Sequence, residues 1–65
     1  MKYYLITFEA RNKSGGTLTE NSIFEGTTPG LWLIEAQALN PDIHVVLLNA
    51  VEISHSDYCH LKENA

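Results

Sequence analysis

Ile43-His44-Val45-Val46-Leu47-Leu48-Asn49-Ala50-Val51-Glu52-Ile53 is the stretch that decides how this chain folds. Its β-branched content and its length read as a strand. Strict alternation puts Ile43, Val45, Leu47, Val51 and Ile53 on one face and His44, Val46, Leu48 and Ala50 on the other. Both sets are largely apolar. A strand apolar on both faces is covered on both faces, so the sheet containing it needs a layer on each side.

Working back along the chain, Thr27-Thr28-Pro29 reads as a helix start. Thr28 is placed to cap free amides, and Pro29 falls at the first helical position, where no amide donor is needed. The helix is predicted over residues 29–39. Pro41 disfavours helical geometry at Asn40, and Asn40 itself tolerates a left-handed cap, so the stop is well marked. Ahead of it, residues 2–10 alternate Tyr4, Ile6, Phe8 and Ala10 with Tyr3, Leu5, Thr7 and Glu9, a strand pattern. Residues 11–16 hold Asn, Lys, Ser and a glycine pair, the composition of a hairpin turn. Residues 17–26 follow as a more polar strand anchored by Leu18, Ile23 and Phe24, suited to a sheet edge. Past the deciding stretch, Ser54 with Asp57 resembles a capping box, and residues 54–63 read as a short helical segment held by Tyr58 and Leu61.

The order strand, strand, helix, strand predicts an α+β fold. A hairpin followed by one helical crossover returns the third strand antiparallel beside the first, which gives a three-stranded sheet in the order second, first, third. The helix is expected over Tyr4, Ile6, Phe8, Val45, Leu47 and Val51. The opposite face, with Tyr3, Leu5, Val46, Leu48 and Ala50, is then expected to pair with a second copy in a homodimer. The competing expectation is that Tyr58 and Leu61 fold back over it.

With 65 residues there is room for one domain and no second. Cys59 is the only cysteine, so no disulfide within the chain can reinforce so small a core. Eight acidic and four basic side chains leave a net charge of -4. That balance argues against a nucleic-acid surface, which is built on clustered Lys and Arg, and favours a protein partner with a basic surface. Residues 1–9 are too short and too interrupted by Glu9 for a secretion leader, and no apolar run approaches a membrane span. A cytoplasmic location without membrane contact is therefore expected.

Three groups of residues come up for chemistry. His55, Cys59 and His60, with His44 further back, are the only set that resembles a metal site, and the fourth ligand would have to be Asp57 or Glu63. The set is incomplete, so neither a metal nor any other cofactor is expected; the alternatives to partner binding are a homo-oligomeric structural or accessory protein and, after it, a small metal-binding protein using His55, Cys59 and His60. Nucleophilic catalysis by Cys59 with His60 fails on direction, because adjacent helical residues point about 100° apart. With little volume for a cleft besides, no enzymatic activity is expected. Glu9, Glu20, Glu25 and Glu52 read as solvated carboxylates on strand faces and ends, available to meet a basic partner. Ser14-Gly15-Gly16 lacks the spacing and context of a phosphate loop.

The helix is more telling than these groups. Leu31, Ile34 and Ala38 form one apolar stripe, and Trp32, Ala36 and Leu39 form another, with Glu35 between them. A helix lying on a sheet needs only one. Trp32 and Leu33 are therefore expected either to join an interface with a partner or to be wrapped by the hairpin or the C-terminal segment.

In length, acidity and element order, and in end segments such as Lys2-Tyr3-Tyr4-Leu5-Ile6-Thr7 and Asn49-Ala50-Val51-Glu52-Ile53-Ser54, the chain resembles small proteins encoded by phages and prophages that bind and block host machinery, anti-CRISPR proteins among them. The resemblance spans the whole chain and carries over no site residue. It implies a rigid acidic inhibitor or modulator that occupies a surface on a larger target.

Overall fold

The computed structural model describes residues 1–64. Strands β1 (Lys2–Arg11), β2 (Thr17–Gly26) and β3 (His44–Ile53) form an antiparallel sheet in the order β2-β1-β3. Helix α1 (Pro29–Leu39) crosses from β2 to β3, and helix α2 (His55–Glu63) follows β3. This is the α+β arrangement that the element order dictates. Strand β1 takes the centre.

The β1–β2 hairpin is built around Asn12. Its side-chain oxygen accepts from the amides of Ser14 at 3.0 Å and Gly16 at 2.8 Å, and its own amide donates to Gly16 O at 3.0 Å. Gly15 sits at φ 88°, a left-handed conformation that a side chain would resist.

The core lies between the sheet and α1. Tyr4, Ile6, Trp32 and Val45 are buried, and Phe8, Phe24, Leu33, Ala36, Ile43, Leu47 and Ala50 pack around them. The Trp32 ring meets Phe8 at 5.0 Å between centroids, so the indole is covered by β1 of the hairpin, on the face of the sheet opposite α2. Tyr4 buries its ring and donates its hydroxyl to Thr27 O at 3.4 Å. Gly26 lies close beneath Phe24, where a Cβ would run into the ring.

The facial assignment of β3 needs correction. The register pairs Phe8 with Leu47 but Thr7 with Asn49, so Leu48 is an unpaired extra residue in a β-bulge. Before it, Val45 and Leu47 share the α1 face as the alternation requires. After it the faces exchange: Ala50 opposes Ile6 and joins the core, whereas Val51 and Ile53 oppose Leu5 and Tyr3 on the outer face. Ala50 is therefore not part of the outer patch, and Val51 is not beneath α1.

Both ends of α1 differ in detail from the sequence expectation. Pro29 occupies the first turn, but the Thr28 side chain makes no capping bond. Asn40 is not left-handed; its side-chain amide donates to Ala36 O at 2.8 Å and closes the last turn that way. In α2, the Ser54 hydroxyl does accept from the Asp57 amide at 3.0 Å. Helix α2 lies on the outer face, with the Tyr3 ring 5.0 Å from His55 and 4.8 Å from Tyr58. The sheet thus has a helix on each side, as the deciding stretch demands. No helix among the described residues is long and apolar enough to cross a membrane.

The two layers are unequal in length. Strands of ten residues run roughly 33 Å, whereas an α1 of eleven residues covers about 16 Å, and the molecule is correspondingly elongated at 39 × 22 × 17 Å. Because α1 leaves from the end of β2 and arrives at the start of β3, it crosses obliquely and leaves two opposite corners of its face of the sheet uncrossed, one of them beside β2.

Candidate protein-binding surface

The corner beside β2 is an open groove of about 370 Å³. Phe8 and Ala10 from β1, Trp32 and Ala36 from α1, and Ile43 and Val45 ahead of and within β3 supply an apolar floor. Leu39, 81 % exposed at the end of α1, and Leu18, 56 % exposed on β2, extend the apolar surface at either end. Glu35 lines the groove from α1. Glu20 pairs in register with Phe8 and so projects from the same face of the sheet. Of the other polar groups here, the Asn40 side-chain amide donates to Ala36 O, and the Asn40 backbone carbonyl accepts from Gln37 Nε2. The second exposed apolar surface is the outer stripe of α1, where Leu31 is exposed and Ile34 is 67 % exposed beside Ala38.

Charge is distributed unevenly around these surfaces. Arg11 bonds to Glu9, Lys2 reaches Glu52 at 3.7 Å, Lys13 reaches Asp42 at 3.7 Å, and Lys62 lies over the Tyr58 ring at 5.8 Å. All four basic side chains are thus engaged within the chain. Exposed pairs such as these add little stability, but they cancel charge locally. Among the described residues, Glu20, Glu25, Glu35, Asp57 and Glu63 have no cationic partner.

No family model, curated protein or solved structure matches the chain.

The structure separates the residues singled out in the sequence. Glu9 and Glu52 are already paired, Glu20 projects without a cationic partner from the α1 face of the sheet opposite Phe8, and Glu25 lies across from Tyr3 on the outer face. Trp32 is core and Leu33 is half-buried against it, so the helix surface open to a partner is Leu31, Ile34, Ala38 and Leu39. Glu35 and Leu39 carry a signal only in retrospect: a helix half as long as its strands must leave sheet uncovered.

The outer patch is also divided. Tyr3 lies under His55 and Tyr58, Leu5 is half-buried beside Ile23 and Leu61, and Val46 is half-buried. Leu48, 50 % exposed at the bulge, and Val51 remain open. The Tyr3 phenol is held above its ordinary value of 10.0, first by burial and then by the charge of Glu25. On α2, Cys59 Sγ lies 3.3 Å from His55 Nε2, one turn apart on one face. His60 is exposed, and among the described residues no group of three or more His, Cys, Asp or Glu side chains converges as a metal site would require.

Proposed function

We propose that the chain is a non-enzymatic protein-binding module that occupies a basic surface on a larger protein, acting as a phage or mobile-element inhibitor or modulator of a host complex of the kind the anti-CRISPR resemblance implies. The observation that supports this most is the contrast in charge. Every basic side chain lies against a carboxylate or an aromatic ring of the chain, whereas among the described residues five carboxylates have no cationic partner, Glu35 in the apolar groove and Glu20 on the same face of the sheet among them. Such a surface attracts a cationic partner and repels nucleic acid.

The test is affinity capture of partners from the native host, followed by binding kinetics at increasing salt. A basic partner is expected whose association slows as salt rises, because surface charge is screened over about 10 Å at 0.1 M. An association rate indifferent to salt contradicts the reading.

A second reading, a homo-oligomer paired through the outer sheet face, is favoured by the exposure of Leu48, Val51 and Leu61. Light scattering on the wild type and on Leu48→Glu distinguishes it. A dimer that dissociates on substitution supports homo-oligomerisation, and a monomeric wild type removes it.

A further inference from the structure

Resting on the protein-binding reading, we infer that the groove between α1 and the sheet, beside Ser22 of β2, is the docking site, and that its occupant is a cationic amphipathic segment of the partner protein. Its apolar side chains would sit on Phe8, Trp32 and Ile43, and an Arg or Lys would lie between Glu20 and Glu35.

The argument is one of complementarity. The floor is mostly apolar, with Ser22, Glu35 and Asn40 as its polar members, so it suits an aliphatic or aromatic side chain. The free carboxylates at its margin have no counter-charge from this chain, because Lys2, Arg11, Lys13 and Lys62 are all engaged elsewhere. A long basic side chain can lay its methylene stem on apolar surface and deliver its charge to a carboxylate at the edge, which satisfies both features at once. A second copy of this chain is the wrong occupant: symmetric pairing on the groove would bring Glu20 and Glu35 of both copies together, in a protein whose net charge is already -4. A small polar ligand is disfavoured too, since Asn40 is already bonded and few polar groups converge on the cavity.

The test uses the full chain, labelled with 15N, and four synthetic helical peptides. One carries Leu on one face and Arg on the other; two keep the Leu face but replace Arg by Gln or by Glu; the fourth keeps Arg and replaces Leu by Ser. The Leu/Arg peptide is expected to shift the amides of Phe8, Ser22, Glu35 and Leu39 and the Trp32 indole, and to bind more tightly than the other three. The double variant Glu20→Lys with Glu35→Lys should weaken it by roughly tenfold or more, whereas Asp57→Lys with Glu63→Lys on α2 should change it by no more than about twofold, as screened charges on the opposite side of the sheet allow. Because Glu20 and Glu35 are exposed, the double variant should keep its circular dichroism; Leu39→Asp provides an independent loss of binding. Absence of binding, shifts confined to α2 or the outer face, equal binding of the Ser/Arg or Leu/Glu peptide, or indifference to the groove variants each overturn the assignment. If a captured native partner still binds the groove variants at full strength, the groove fails and the binding-module reading stands. If no partner is captured and no peptide binds, both fall.

Discussion

The Gln37 side chain pairs with the backbone of β3 at Val45: its carbonyl oxygen accepts from the Val45 amide at 3.0 Å, while its nitrogen donates to Ile43 O at 2.6 Å and Asn40 O at 3.1 Å. One side-chain amide thus takes the place that a neighbouring strand would have along the outer edge of β3. It ties the end of α1 to the start of the strand, and it closes that stretch of edge against pairing with another chain.

Replacing it by Leu keeps the size but leaves the Val45 amide and the Ile43 carbonyl without partners. Gln37→Leu should cost about 1–3 kcal/mol, seen as a lower denaturant midpoint. In a domain of this size, each kcal/mol corresponds to roughly 4–8 °C in Tm.

Trp32 and Ile34 are near neighbours on α1 with opposite fates. Trp32→Ala removes the centre of the helix-to-sheet packing and should cost about 3–5 kcal/mol, enough to threaten folding in so small a domain. Ile34→Ala, on the exposed side, should stay within about 0.5 kcal/mol. Equilibrium unfolding of both variants checks the contrast.

Gly26→Ala would thrust a methyl group into the Phe24 ring at the end of β2. A loss of about 1–3 kcal/mol is expected, as for other overpacked sites. Pairing the change with Phe24→Leu should recover part of it.

The raised Tyr3 phenol links α2 to pH. The folded state favours the neutral phenol, so its contribution is fully present below the ordinary value of 10.0 and is lost as pH rises through the higher folded value. Wild-type stability should fall more steeply than that of Tyr3→Phe as pH rises from 10.0 to the folded value, measured by denaturant unfolding across the alkaline range.

His55 and Cys59 offer zinc only two ligands. Adding zinc should leave Tm unchanged, since even a ligand present at its Kd adds only about 0.4 kcal/mol. Near-stoichiometric metal after purification, with a Tm lowered by chelator, would contradict this.

The fold was legible because its signals are local and consistent. Pro29, the Asn12 to Gly16 turn and the alternation of β1 each mark an element without reference to the rest, and the two-faced apolar β3 forecasts a layer on each side. What escaped depends on three-dimensional offsets. No residue type announces the bulge at Leu48, since Leu suits a regular strand as well as a bulged one. The capping role of Gln37 depends on where α1 ends relative to β3. The groove arises from a mismatch in the lengths of two layers, and that mismatch belongs to neither segment alone. The acidic residues could be counted in the sequence, but which of them stay free depends on where the four basic side chains reach.

The bulge also changes what kind of mutation β3 can tolerate. Leu48 works as an inserted letter that resets the reading frame of the strand, because every residue after it faces the side opposite to the one its count predicts. Exchanging Leu48 for another residue alters one exposed side chain. Deleting it would remove the bulge and keep the pairs as they are, Asn49 opposite Thr7 and Ala50 opposite Ile6, whereas a regular strand that kept Leu48 in the ladder would turn its second half over and expel Ala50 from beside Ile6. At this point in the chain the strand holds one residue more than its ladder uses.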